Sequence, residues 1–202
     1  GNGNTITLDI NGGASLSAFA GISSANGDIT ITADDDVLLS DVDADISSTN
    51  GDISITADSD SDNDGLGGAF TQVNGSVINS DDGTINVDAD ESITVGGLTS
   101  TNGANASITL VTGASVLDGG DGDVDIDANT TAGDSGVVIT AGTGIGTDAN
   151  ALDTTVETIA ATTGSGDIHV TNTGNLEIIT AGGVVGASIT AGAAGDNIVI
   201  TA

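Results

Sequence analysis

Apolar residues recur along this chain in a short alternating pattern, in which two apolar residues flank one central residue. Period-two alternation predicts a strand with the flanking pair inward and the middle residue outward. The pattern occurs at Ile6-Thr7-Leu8, Ile29-Thr30-Ile31, Ile53-Ser54-Ile55, Ile85-Asn86-Val87, Ile108-Thr109-Leu110, Val124-Asp125-Ile126, Val137-Val138-Ile139, Ile168-His169-Val170 and Ile198-Val199-Ile200. From Ile6 to Ile198 the eight intervals average 24 residues. The pattern therefore predicts one principal strand in each of about eight repeating units.

The repeat is clearest where the sequence nearly copies itself. Residues 22–36 read ISSANGDITITADDD, and residues 46–60, 24 residues later, read ISSTNGDISITADSD, with 12 of 15 positions identical. A fixed period of this size is typical of a solenoid, in which stacked units share a continuous core. We therefore expect residues 1–202 to form one β-solenoid domain. Because the sequence lacks methionine, we also expect it to be a segment or processed unit of a longer or polymerised protein.

Secondary apolar clusters between the principal strands predict two further strands in each unit. Val37–Leu39 is followed by Ile46, and Ile93–Val95 is followed by Leu98. Three short strands in about 24 residues predict an all-β parallel β-helix with a triangular cross-section. The β-branched residues and frequent glycines argue against helical repeats, which need long amphipathic runs. In-register stacking would also place Asn26 against Asn50 as an amide ladder.

The charge of the chain restricts its partners. There are 30 Asp plus Glu and no Lys or Arg, which gives a formal net charge of -30. Such a surface repels nucleic acid and anionic lipid, so we expect neither as a partner. No apolar stretch is long enough to span a bilayer, so we expect no membrane insertion. Repulsion between carboxylates opposes folding, so we expect salt, low pH or bound divalent cations to offset it.

The strongest candidate cation site is a run of alternating aspartates that ends in a glycine. Its members are Asp58, Asp60, Asp62, Asp64 and Gly65. Closely spaced carboxylates followed by glycine supply hard oxygen ligands and a turn around the ion, which favours Ca²⁺. The helix-loop-helix calcium motif needs a glutamate at its twelfth place, where Thr71 stands when counted from Asp60. The sequence leaves two alternatives, a looser calcium loop or a solvated acidic loop.

A second candidate cation site lies directly after the principal strand. In-register stacking predicts that Asp34 and Asp36 lie against Asp58 and Asp60 of the next unit. Carboxylates about 5 Å apart repel each other unless a cation lies between them. The row would hold Ca²⁺ or would form a screened surface ladder. Three further acidic residues, Asp88, Asp90 and Glu91, would continue the row.

A third acidic segment, residues 118–127, resembles the calcium nonapeptide of β-helical repeats. Counted from Gly119, the sixth place of that nonapeptide is occupied by Val124 instead of the required aspartate. The motif is therefore out of register by one residue.

Catalysis is not expected from this composition. His169 is the only histidine, and the alternation assigns it to an outward, exposed place. No recognisable nucleophile motif surrounds it. Polysaccharide-cleaving β-helices use basic residues and aromatic sugar platforms, whereas this chain has no Lys, Arg, Trp or Tyr. We therefore expect a protein that is not an enzyme.

The segment NGDITITADDDVLLSDVDADISSTNGDISITAD resembles the repeat region of large bacterial exoproteins of the filamentous haemagglutinin type and of giant surface adhesins. The resemblance is densest over residues 22–95. It implies a right-handed parallel β-helix that serves as a stalk, adhesin shaft or filament, extracellular or at the cell surface. The Asn-Pro-Asn-Gly-type secretion motif of the family is absent, and receptor binding cannot be carried over to a chain without basic residues.

Two further expectations concern surfaces. Residues 3–8 and 195–200 show the same strand phase, and open strand edges invite pairing with another copy, so we expect copies to associate head to tail. The alternative function is ice binding by outward threonine rows. Its candidate pairs are Thr5/Thr7, Thr30/Thr32 and Ser54/Thr56, and the row breaks at Asn86/Asp88 and Asp125/Asp127.

Overall fold

The computed structural model describes residues 5–59, 67–128 and 135–202, which form a parallel β-helix. The described strands, in chain order, are β1 Ile6–Ile10, β2 Leu16–Ala18, β3 Ile22–Ser24, β4 Ile29–Ala33, β5 Val37–Leu39, β6 Ile46–Ser48, β7 Ile53–Ala57, β8 Phe70–Gln72, β9 Ile78–Ser80, β10 Ile85–Ala89, β11 Ile93–Val95, β12 Leu98–Ser100, β13 Ile108–Thr112, β14 Ser115–Asp118, β15 Ile126–Ala128, β16 Gly136–Ala141, β17 Gly144–Ile145, β18 Leu152–Val156, β19 Thr158–Thr163, β20 Ile168–Asn172, β21 Glu177–Ile178, β22 Thr180–Ala181, β23 Val184–Val185, β24 Ala187–Ile189 and β25 Ile198–Thr201. None of the described residues lies in a helix that could cross a membrane.

Three faces wind around one core, as the alternation predicted. The first face is β1, β4, β7, β10, β13, β16 and β19, the second is β2, β5, β8, β11, β14 and β17, and the third is β3, β6, β9, β12, β15 and β18. Coils 1 to 6 each contribute one strand to each face, and coil 7 comprises β19 and β20. Strands within a face are parallel and pair residue on residue, so Ile29 pairs with Ile53 and Ile53 with Ile85. The predicted fold class is confirmed.

The core consists of ladders of inward-facing Ile, Val, Leu and Ala. In β4 and β7 the alternating residues Ile29, Ile31, Ile53 and Ile55 are at most 1% exposed. Burying one such side chain contributes roughly 1.5–3 kcal/mol. Ala33 and Ala57 end the same strands and are also buried, as expected for a tight inner corner.

A recurring Ser-x-x-Gly turn connects the third face to the next first face. The Ser48 hydroxyl donates to the Gly27 carbonyl oxygen at 3.0 Å and accepts from the Gly51 N–H at 2.9 Å. The same donation recurs in the next two coils, from Ser80 to Gly51 and from Ser100 to Gly83, at 3.0 Å each. A Cβ on Gly51 would lie only 2.4 Å from the Gly27 carbonyl oxygen. Only glycine permits this close stacking of turns.

The predicted amide ladder is present at the same turn. The Asn50 side-chain amide donates to the Asn26 side-chain oxygen at 2.6 Å. The ladder follows from the residue-on-residue register of the first three coils.

The later coils depart from the predicted register. Ile126 pairs with Leu98 on the third face, so the predicted Val124–Ile126 stretch is not a first-face strand. Ile198 pairs with Ile168, and both lie outside the first face. The alternation had suggested that the first and last strands occupy one strand column. The structure shows that they do not. Because strands on all three faces show the same alternation, the sequence pattern could not assign these stretches to a face.

The second and third faces merge at β20. Its first residue, Ile168, pairs with Ile145 of β17, and Val170 pairs with Leu152 of β18. β25 then pairs with β20. The corner between the two faces is lost in coil 7.

An antiparallel hairpin, β22–β23, covers the outer side of the first face in coils 6 and 7. Val138 and Ala160 occupy outward places there, yet they are 2% and 0% exposed and pack with Val184 of the hairpin. Gly182 lies in the hairpin turn with a φ of +56°, and a Cβ at this position would lie 3.1 Å from Cγ1 of Val138. The hairpin therefore explains why apolar residues occupy these outward places.

Candidate functional site

Aspartates directly before strands join successive coils. Six of them, here called the pre-strand aspartates, each accept the backbone N–H of the residue at the equivalent place in the next coil. The pairs are Asp28 with Asp52 at 3.1 Å, Asp36 with Ala69 at 3.0 Å, Asp45 with Val77 at 2.8 Å, Asp52 with Thr84 at 2.7 Å, Asp125 with Asp153 at 2.9 Å and Asp167 with Asn197 at 2.7 Å.

These bonds give the acidic residues a structural role in a chain without lysine or arginine. In each of these six pairs, the N–H of the residue in the later coil points back toward the preceding coil. A carboxylate that accepts this N–H satisfies a donor at the corner, and hydrogen bonds to charged groups are among the stronger ones. An aspartate followed by the isoleucine or valine that starts a strand therefore forms a link along the rod axis.

Asp34 and Asp36, predicted to hold a cation, both accept backbone N–H groups. The Asp34 carboxylate accepts from Gly12 and Gly13 of coil 1 and from the Ser59 hydroxyl of coil 3 at 3.0 Å. Asp36 is a pre-strand aspartate that accepts from Ala69. Asp34 is 8% exposed. Their carboxylates are thus used to connect three coils.

Asp58 lies at the turn after β7 and is partly buried. Its φ of +61 is the only positive value among described residues other than glycine, a conformation that aspartate tolerates better than most residues. Its N–H donates to the Asp35 carbonyl oxygen at 3.1 Å. Asp60, Asp62 and Asp64 lie outside the described residues, so the central part of the predicted calcium loop stays a prediction.

A surface groove runs beside Asp58 and extends over coils 3 to 5. Its volume is about 400 Å³, and its lining includes Asp58, Asp88 and Asp90 together with Thr112. Asp90 directly follows β10, as Asp58 follows β7, whereas Asp88 pairs with Thr56 inside the first face and does not continue the acidic row. Across the described ranges, no three His, Cys, Asp or Glu side chains are placed to hold a metal ion together.

The corner around Asp125 is the most unusual electrostatic feature of the described residues. Asp125 is 2% exposed, and Asp118 at the end of β14 is 8% exposed. Burial, followed by the nearby charges of Asp118, Asp153 and Asp121, raises the pKa of Asp125 to about 7, although the N–H of Asp153 lowers it. Burial also raises the pKa of Asp153. The sequence had placed Asp125 at the outward, middle place of a Val124–Ile126 strand beside a broken calcium motif, and both placements are wrong in the structure, where Asp125 precedes β15 and is buried.

His169 is buried, contrary to the prediction of an exposed histidine. It is 6% exposed, and its Nε2 lies 3.3 Å from the Asp167 carboxylate. The hydrogen bond from the Asn197 N–H, followed by the one from His169, lowers the pKa of Asp167. The alternation correctly places Ile168 and Val170 inward. It did not predict that β20 lies where two faces merge and pairs with strands along both of its edges.

The outer side of the first face carries hydroxyl pairs in only part of its length. Register places Thr30/Thr32 against Ser54/Thr56, but the pair before them is Thr7/Asp9 instead of the predicted Thr5/Thr7. Asp125 and Asp127 belong to the third-face column and not to this surface. The ice-binding hypothesis therefore rests on hydroxyl pairs in two coils.

No protein-family model, curated protein or solved structure matches this chain.

Proposed function

We propose that this protein is a structural β-solenoid of an extracellular filament or surface adhesin, whose copies associate end to end and which divalent cations stabilise. The observation that carries the proposal is the residue-on-residue register of the first face. It runs without interruption from Ile6 through Ile108 to Ile159. A rod built this way extends by adding like units along its axis.

The edge of β1 has the chemistry that end-to-end association requires. The Ile6 N–H donates to the Asp28 carbonyl oxygen of coil 2. Because successive residues of a parallel strand alternate their hydrogen-bonding direction, the Thr7 N–H points away from coil 2. Among the described residues β1 pairs with β4 alone, and a strand edge without a partner is a template for another strand. Resemblance to filamentous haemagglutinin-type exoproteins supports the same function.

Electron microscopy of negatively stained protein tests the association. We expect fibres from the wild-type chain, and we expect single short rods from Thr7→Pro, because proline removes the N–H at this edge without removing a bond to coil 2. Thr7→Ala is the matched control and should still form fibres. Monodisperse wild-type rods at every concentration would contradict the proposal.

The cation part is tested by melting in Ca²⁺, in Mg²⁺ at equal ionic strength, and in chelator. An ion bound only by the folded state raises the melting temperature. We expect the calcium-specific gain to disappear in the triple variant Asp60→Asn, Asp62→Asn, Asp64→Asn. The control triple variant Asp43→Asn, Asp82→Asn, Asp148→Asn removes the same charge from exposed positions and should keep the gain. Equal melting with calcium and chelator would remove calcium from the proposal and leave the fibre result unaffected.

A further inference from the structure

Asp125 connects three coils through its backbone and side chain. Its carbonyl oxygen accepts the Leu98 N–H of coil 4 at 2.8 Å, and its N–H donates to the Asp153 carbonyl oxygen of coil 6 at 2.9 Å. Its carboxylate accepts the Asp153 N–H, also at 2.9 Å. A change in this one carboxyl group therefore acts on the junction of coils 5 and 6.

The groups that face Asp125 are acidic. Asp118 of β14, Asp121 of the following turn and Asp153 of β18 act on it through their charges. Asp123 and Asp127 lie two residues away on its own segment, whereas the neighbouring strands β12 and β16 carry no titratable side chain. A carboxylate that is desolvated among like charges is disfavoured relative to the neutral acid.

Asp45 shows that the hydrogen bond alone does not produce this situation. It occupies the equivalent place before β6, its carbonyl oxygen accepts the Ile22 N–H, and its carboxylate accepts the Val77 N–H. Asp45 is exposed, however, and valine replaces the second acid in the next coil. The carboxyl group of Asp45 thus accepts its N–H at an exposed place, whereas that of Asp125 accepts the equivalent N–H in a buried acidic corner.

We propose that the Asp125 corner is a proton-operated latch, in which the neutral carboxyl group holds coils 5 and 6 together and loss of its proton near neutral pH loosens this junction. The expected direction follows from proton linkage. Between the ordinary Asp value of 3.8 and about 7, the folded chain binds more protons at Asp125 than the unfolded chain does. The free energy of unfolding therefore falls as the pH rises through this window.

Melting at about pH 5 and about pH 8 tests the latch, in about 0.5 M NaCl to screen repulsion between exposed carboxylates. We expect the wild type to melt several degrees lower at the higher pH. Asp125→Asn keeps an acceptor for the Asp153 N–H but cannot ionise, so it should lose most of this dependence. Asp45→Asn is the matched control and should retain the wild-type dependence. An Asp125→Asn variant with the unchanged wild-type dependence would overturn the proposal.

A measurement on the wild type covers the case in which the variant fails to fold. Carboxyl carbons of ¹³C-labelled aspartate are followed by NMR during a pH titration, with Asp125 assigned by its contacts to Asp153. We expect the midpoint of Asp125 near neutrality. A midpoint for Asp125 in the ordinary range of exposed aspartates would refute the latch.

Discussion

Coils 2 to 5 and coils 6 to 7 share one inward ladder but differ on the outside of the first face. In the earlier coils the outward places are polar except for Val111, for example Thr30, Ser54 and Thr109. In the later coils the corresponding places are Val138 and Ala160, which the β22–β23 hairpin buries. Strand alternation therefore specifies the core of this solenoid, whereas an insertion between strands decides whether its outer side meets water.

The largest effect is expected for a charge under the hairpin. Val138→Asp would bury an unpaired carboxylate against Ala160 and Val184, and we expect it to reduce the free energy of unfolding by about 3–5 kcal/mol. Thr109→Asp changes the directly paired, partly exposed place in the preceding coil and should cost less than about 1 kcal/mol. Urea unfolding of both variants gives the comparison. Equal losses would mean that the hairpin does not shield this place in solution.

A smaller effect is expected at the Ser-x-x-Gly turn of the earlier coils. Ser48→Ala leaves the Gly27 carbonyl oxygen and the Gly51 N–H without their shared partner, and we expect a loss of about 1–3 kcal/mol. Ser47→Ala, on the outward side of the same strand, should change the free energy of unfolding by about 0.5 kcal/mol or less. The later coils use a different device, since the Asn172 side-chain oxygen accepts from the Thr154 hydroxyl and the Val156 N–H, both at 2.9 Å. If Ser48→Ala and Ser47→Ala unfold at the same urea concentration, the turn is not a source of stability.

The smallest effect is expected for an exposed pre-strand aspartate. Asp52→Asn and Asp52→Ala remove the same charge, but only asparagine keeps an acceptor for the Thr84 N–H. We expect the alanine variant to be less stable than the asparagine variant by about 1 kcal/mol. Thermal melting of the pair at one pH measures this difference, and superimposable curves would show that the inter-coil bond contributes nothing.

The fold was predictable because the 24-residue period and the alternation describe the same inward ladders. The amide ladder of Asn26 and Asn50 followed from that period alone. The register of the later coils was not predictable, because Ile126 and Ile168 look like first-face residues when only their neighbours are considered. Ile159 was missed because Ala160 and Ala161 follow it, and an outward alanine does not produce a polar-apolar alternation.

The candidate site was predictable only in part. Acidic residues after the first-face strands do line a groove, as Asp58 and Asp90 show, together with Asp88 from within β10. The binding of Asp36 to the Ala69 N–H required knowledge of which residue lies one coil further on. Burial of Asp125 and His169 likewise depends on neighbours distant in sequence, which a local pattern does not contain.

The pre-strand aspartates and the strand ladders all direct their hydrogen bonds along the long axis of the rod. Force applied between its two ends would load these bonds one row after another, as in opening a zipper, instead of shearing many rows at once. Each released coil would free roughly 80 Å of extended chain. A rod made this way would lengthen stepwise under tension and absorb mechanical work coil by coil.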